Sequence, residues 1–213
     1  DMRQWVLVTS FDPLKVYVFD EFYLRICGSK YDLNDITDAF KHLTNFSIQK
    51  TNSRVTNKDE DLVMSQSEFV KKAFRGDEAK ATAVRAKMEE IIAKTMRTGQ
   101  ESGIEHKPNC FEIYGFDFML DQKLDPWLLE VNLSPACAER TEWLVGMLDR
   151  MANGLLNLLE NRLAQVSDDF KGDLKALMQA KKAQSPELDG WKLIYDQQAD
   201  SENYKNFNTH QQQ

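Results

Sequence analysis

Residues Cys110 to Pro135, CFEIYGFDFMLDQKLDPWLLEVNLSP, decide how this chain is read. FEIYGFDFML and WLLEVN are rich in aromatic and branched residues, and between them DQKLDP carries turn chemistry at Asp121, Asp125 and Pro126. The stretch therefore reads as two strands joined by a short connection. Side chains alternate along a strand, so Glu130 and Asn132 share a face. If Asp121 to Pro126 form the connection, Leu120 pairs with Trp127. The same register sets Asp117 opposite Glu130 and Gly115 opposite Asn132.

Directly opposed Cβ atoms lie roughly 4.5–5.5 Å apart, and like charges so placed repel. Something positive has to sit between Asp117 and Glu130. With the Asn132 amide oxygen they form a hard, all-oxygen set that suits Mg²⁺ completed by phosphate oxygens and water, and does not suit zinc. The competing reading is an edge hairpin whose acids are simply solvated. The apolar flanks Phe116, Phe118, Leu129 and Val131 favour a covered strand pair. On the metal reading, substituting any of the three polar residues costs metal–nucleotide binding more than fold stability.

The chain has 213 residues, of which 42% are hydrophobic, enough for one large domain with a real core. It contains no run of about 18 apolar residues, so no membrane partner is expected. No signal-like segment opens it. Asp1-Met2-Arg3-Gln4-Trp5 runs directly into a strand, as expected of a segment cut from within a domain. Cys27, Cys110 and Cys137 match neither a disulfide framework nor a zinc spacing, which points to a reducing intracellular compartment. The net charge of −7 argues against nucleic acid as a partner.

Residues 2 to 27 read as a hairpin and a third strand: MRQWVLVTS, a turn at Phe11-Asp12-Pro13, the return LKVYVF, a break at Asp20-Glu21, then FYLRICG. Arg3 shares a face with Trp5, Leu7 and Thr9, and Arg25 with Tyr23 and Cys27. An arginine in an apolar strand either snorkels at an edge or meets an anion. Two of them on neighbouring strands, beside a Mg²⁺-type triad, favour phosphate. Asn34 and Asp35 are expected to cap a short helix ending near His42. On local grounds Thr44-Asn45-Phe46-Ser47 reads as the turn ending it. Residues 51 to 64 read as a loop. Helices are expected near Glu68 to Arg75 and from Gly76-Asp77 to Gly99 or Gly103, with Ala81, Val84, Met88, Ile91, Ile92 and Thr95 on one side. Residues 69 to 99 hold eight Lys/Arg against four Asp/Glu, either a solvated face or a docking surface for an acidic partner. Leu144, Met147, Leu148, Met151, Leu155, Leu158, Leu159 and Leu163 define the clearest helix, over 139 to 166. Residues 168 to 183 suggest a further amphipathic helix, 196 to 213 a disordered tail, and Trp191, Ile194 and Tyr195 an apolar island that docks back on the body.

Three blocks, DMRQWVLVTSFDPLKVYVFDEFYLRICGSKYDL, HLTNFSIQK and the 110–135 hairpin, occur in the order found in the tubulin-tyrosine-ligase-like family, which residues 1 to about 165 resemble. The resemblance implies an α/β (α+β) ATP-grasp fold, with a mixed or antiparallel sheet flanked by helices. Residues 1–165 would be the C-terminal portion of its catalytic core and 166–213 a polar tail. It also implies ATP and Mg²⁺ as cofactors, with Asp117, Glu130 and Asn132 as the metal ligands. Arg25 and Arg3 would be catalytic. Asp1, His42, Leu43, Thr44, Asn45 and Leu129 would lie at the nucleotide, which overrides the local reading of a plain helix-end turn. Implied partners are tubulin or microtubules, through their acidic tails, and a free amino acid. The implied setting is cytoplasmic and cytoskeletal, in the axoneme of a cilium or flagellum.

A carboxylate is a poor acyl donor, so such a ligase transfers the γ-phosphoryl group to it and lets an amine displace phosphate; positioning and charge neutralisation do most of the work. The DMRQW opening resembles the glycine-adding branch, whereas HLTN and EVNLSP resemble the glutamate-adding branch; glycine is the favoured reading. The family's phosphate-gripping lysines and adenine hinge precede the matched blocks, so the 213 residues alone are expected to bind nucleotide weakly. Two other classes remain: an inactive module that holds tubulin tails through 69–99, and an ATP-grasp ligase acting on a small molecule.

Overall fold

The computed structural model describes residues 1–166 and 190–200. Its frame is one antiparallel six-stranded sheet. Strands β1 (Met2–Phe11), β2 (Leu14–Arg25), β3 (Val63–Ser65), β4 (Glu112–Leu120) and β5 (Pro126–Leu133) stand in the order β3-β2-β1-β4-β5. β6 (Trp191–Asp196) pairs with Lys15–Phe19 of β2, and β3 pairs with Tyr23–Arg25, so the two share the outer edge of β2. The expected α+β class is what the structure shows. The apolar island at Trp191 does dock, as a strand, and the Trp191 indole N–H donates to the Met151 carbonyl. The expected helix over 168–183 and most of the expected tail lie outside the described residues.

Helices cover both sheet faces, which is why β1 is buried along nearly its whole length. On one face Val70 of α4 (Gln66–Ala73) and Val84, Met88, Ile92 and Met96 of α5 (Glu78–Glu101) pack on Met2, Val6, Val8, Phe116 and Phe118. On the other, Leu144, Met147, Leu148, Met151 and Leu158 of α6 (Glu142–Val166) pack on Trp5, Leu7, Phe19 and Tyr23. Spacing of three and four residues predicts both helical stripes.

Several sequence expectations need correction. Asp20-Glu21 do not break β2. Gln4 pairs with Phe22 and Val6 with Val18, so the residues between form a bulge and the strand continues to Arg25. In the hairpin the connection is Asp121 to Asp125, one residue shorter than expected, and Leu120 faces Pro126 rather than Trp127. Leu129 is then the extra residue of a bulge, which restores Asp117 opposite Glu130 and Gly115 opposite Asn132. The first short helix, α1 (Ala39–His42), is capped by Asp38 and not by Asn34 or Asp35, because Asp32 ties Asn34 into a turn. A second turn of helix, α2 (Phe46–Gln49), follows. The 51–64 loop contains α3 (Lys58–Asp61) and begins β3, an edge set by pairing to β2 rather than by local periodicity. α5 passes through Gly99, and the chain leaves it at Gly103, whose φ is +96°.

The segment from 28 to 55 hangs on Gln49, which is fully buried. Its amide donates to the Phe40 and Leu43 carbonyls, and its oxygen accepts from Gly28 N–H and from Asn52 Nδ2. A Cβ on Gly28 would lie 2.3 Å from Val55 Cγ2, so this approach needs glycine. Gln49→Leu leaves the Leu43 carbonyl and the Gly28 N–H without partners, while the Phe40 carbonyl keeps the Ser29 N–H. At about 1–3 kcal/mol per orphaned group it should cost at least about 2 kcal/mol in denaturant unfolding.

Candidate functional site

Four adjacent strands deliver one charged cluster. Arg3 on β1 lies opposite Asp117 on β4, and Asp117 opposite Glu130 on β5. Arg25 ends β2, where its N–H donates to the Asp1 carbonyl. All these side chains emerge on the α6 face, near the sheet end that α6 leaves open.

Asp117, 1% exposed, is the hub. Arg3 grips it with two prongs, Nε to Oδ1 at 2.6 Å and Nη2 to Oδ2 at 3.1 Å. Arg25 Nη2 reaches Oδ2 at 2.7 Å, and Asn132 Nδ2 reaches the same oxygen at 3.1 Å. Arg25 also forks onto Asp1, at 2.8 and 2.6 Å, and the Thr44 hydroxyl donates to Asp1 at 2.6 Å. Gly115 makes room for the Arg3 side chain, since a Cβ there would sit 3.0 Å from Arg3 Nη1 and 2.6 Å from Pro135 Cβ. Burial by itself raises the Asp117 carboxyl, but the Arg3 hydrogen bonds and charge, with Arg25 behind them, hold it below the ordinary carboxylate value.

Asp1, Arg3, Arg25, Thr44, Asp117, Glu130 and Asn132 thus join in one hydrogen-bonded group. Asn45 lines the pocket beside it. His42 lies apart, its Nε2 2.7 Å from the Asp35 carbonyl and its ring edge-on to Tyr31. Leu43 is exposed, with its carbonyl held by Gln49. Leu129 is the exposed bulge residue. The positive partner required between the acids is, for Asp117, a pair of arginines. Phe116 and Phe118 are buried, but Leu129 is 53% and Val131 40% exposed, so only the β4 half of the hairpin is covered.

Two hard carboxylates and an amide do fit a cation such as Mg²⁺ by donor chemistry. Among the described residues no group of three or more His, Cys, Asp or Glu offers a fuller metal set. Glu130 is exposed and accepts from Asn132 Nδ2, at 3.1 Å. Asn132 must turn its amide over to present oxygen. Asp117 already accepts four N–H groups, three of them on Oδ2 and one on Oδ1.

Beside the cluster lies a pocket of about 420 Å³ lined by Arg3, Tyr23, Arg25, Lys50, Asn132 and Arg140 among others. Lys50 and Arg140 escape sequence reasoning. Lys50 follows a short helix, and Arg140 sits in the irregular segment after Pro135, where no periodicity marks its direction.

The geometry separates the three triad residues. Asp117→Asn strips the buried Arg3 guanidinium of its carboxylate, while Arg25 keeps Asp1, and should cost about 3–5 kcal/mol at neutral pH. Glu130→Gln, on an exposed edge without a cationic partner among the described residues, should leave the unfolding midpoint unchanged. The Asp117 pKa is lower folded than unfolded, so its stabilisation is complete above the unfolded value near 3.9 and is lost as pH falls through the folded one. The gap between wild type and Asp117→Asn should therefore close in acid denaturation below about pH 4.

The family model described as "Tubulin-tyrosine ligase family" matches residues 1–170. Tubulin glycylase 3E of Tetrahymena thermophila is 39% identical over 202 residues, 93% of this chain and 14% of that protein. Tubulin glycylase 3F of the same organism is 41% identical over 165 residues, 76% of this chain and 18% of that protein. Tubulin polyglutamylase TTLL5 of Mus musculus is 38% identical over 152 residues, 65% of this chain and 11% of that protein. The chain spans only 11% to 18% of the length of these relatives.

Proposed function

The chain belongs to the tubulin-tyrosine ligase family, and from that premise we propose that it is part of an ATP-dependent ligase that adds glycine to glutamate side chains of tubulin tails. The observation that carries the reading is the convergence of Arg3 and Arg25 on Asp117, with Glu130 and Asn132 on the adjoining strand. Residues 1–165 would form the C-terminal part of the catalytic core, working at the microtubules of a cilium or flagellum.

Bound Mg·ATP would supply the activated phosphoryl group and part of the charge neutralisation. Glu130 and Asn132 would hold the metal, with Asp117 beside them. Oδ2 of Asp117 already takes three donors, so a cation at that oxygen requires room to be made, and the Asn132 amide leaves it on turning its oxygen to the metal. Arg3 is bidentate and 5% exposed, so it stays. Arg25 spends one nitrogen on Asp117 and already bridges two carboxylates, so it is the group free to turn toward developing negative charge. Thr44 and Asp1 fix the other side of the Arg25 guanidinium.

Glycine is favoured because the two glycylases are 39% and 41% identical over 93% and 76% of this chain, against 38% over 65% for the polyglutamylase. One observation supports glutamate instead: Lys50 and Arg140 line the pocket without a carboxylate partner among the described residues, as a glutamate side chain would require. The inactive-module alternative is weakened in part. Four of the eight basic residues of 69–99, Lys72, Lys80, Lys87 and Lys94, pair with Glu68, Asp77, Asp125 and Glu90, which leaves four for an acidic partner.

The test is incorporation of radiolabelled glycine, glutamate and tyrosine into microtubules by the full-length protein. Glycine incorporation, abolished in Glu130→Gln, is expected. Incorporation of glutamate alone would move the assignment to polyglutamylation, and incorporation of none by a protein that binds ATP would refute the ligase.

A further inference from the structure

The pocket beside Asp117 is lined by four cations, Arg3, Arg25, Lys50 and Arg140, and by no carboxylate. Two of them are neutralised from its wall: Arg3 by Asp117, and Arg25 by Asp1 and Asp117. Lys50 and Arg140 have no ion pair and no side-chain hydrogen bond among the described residues. Tyr23, also in the lining, does not offset them, since burial pushes its phenol pKa up and keeps it neutral. A concave wall with two unbalanced positive charges is complementary to an anion of matching size.

Arg140 is held against an aromatic ring. Its guanidinium carbon lies 3.6 Å from the centroid of the Phe46 ring, so the plane stacks on the aromatic face. Burial lowers its pKa, reinforced by nearby Arg25 and opposed by Asp59, as for a charge lacking full compensation. Phe46 opens α2, whose C-cap is Lys50, and Gln49 between them is anchored in the core. One buried glutamine thus sets the aromatic platform and the lysine on the same rim. Asn45 and Ser47 add neutral polar groups to it.

We infer that Lys50 and Arg140, backed by Phe46, form a carboxylate subsite next to the reaction centre. The inference rests on the ligase reading for its choice of carboxylate. The free amino acid and an acidic acceptor peptide both offer that group, and the two are separable by titration. Arginine on an aromatic platform is a fork suited to a carboxylate, and the exposed lysine adds a movable point charge.

The experiment is isothermal titration of the full-length protein, with Mg·ATP present, using glycine, glutamate or a hexaglutamate peptide as titrant. At least one titrant should bind wild type and lose tenfold or more in affinity in both Lys50→Gln and Arg140→Gln, with part recovered in Arg140→Lys. The titrant that responds identifies the source of the carboxylate. Mg·ATP affinity should stay within twofold in each variant. Absence of binding to wild type, or binding that both variants retain, overturns the subsite. Lys50 is exposed, so Lys50→Gln remains decisive even if Arg140→Gln fails to fold. Ligation measured in parallel separates the two claims. Ligation with unaltered carboxylate binding in the variants would sink the subsite alone, whereas lost binding in the variants of a protein that never ligates would sink the ligase alone.

Discussion

A carboxylate that is 1% exposed and held by two arginines from two other strands is the constraint on which the site depends. Asp117 could not stay ionised there alone, since burying a lone charge costs several kcal/mol. Arg3 and Arg25 supply the compensation, and they can do so only if β1, β2 and β4 are in register. A slip of β1 by one residue would send Arg3 to the face packed by α4 and α5 and bring Met2 or Gln4 to the cluster. Strand register is therefore also site geometry. The bulge in β2 and the bulge at Leu129 keep both pairings aligned with the cluster.

The two carboxylates, opposed across β4 and β5, have different duties. Asp117 belongs to the fold as much as to any ligand, because it neutralises charges that the sheet buries. Glu130 is exposed on an edge strand and spends one hydrogen bond on Asn132. The site thus has an anchored side at Arg3 and Asp117, and an adjustable side at Glu130, Asn132 and Arg25. Arg3, Arg25 and Asn132 line the pocket, and the buried Asp117 lies against all three.

The pairing of Asp117 with Glu130 and of Gly115 with Asn132 is legible in the sequence, although local turn signals make the connection one residue too long. The Leu129 bulge cancels that difference, and a bulge leaves no mark in a run of apolar residues. Alternation places Arg3 with Trp5 and Leu7, and helical spacing places Val84, Met88 and Ile92. What cannot be read depends on contacts between distant segments. β3 exists because β2 offers it an edge. Arg140 meets Phe46 across 94 positions of sequence, with no local pattern to announce it. The exposure of Leu129 and Val131 escapes the sequence for the same reason, since a strand's apolar content does not say whether a neighbour covers it.

The measurement that tests the account most directly is a double-mutant cycle between Arg25→Gln and Asp117→Asn in the full-length protein, read by denaturant unfolding with and without Mg·ATP. A coupling energy of about 1 kcal/mol or more without nucleotide, falling when Mg·ATP binds, is predicted, because Arg25 would exchange Asp117 for phosphate. Additive effects without nucleotide, or a coupling that Mg·ATP leaves unchanged, would contradict it.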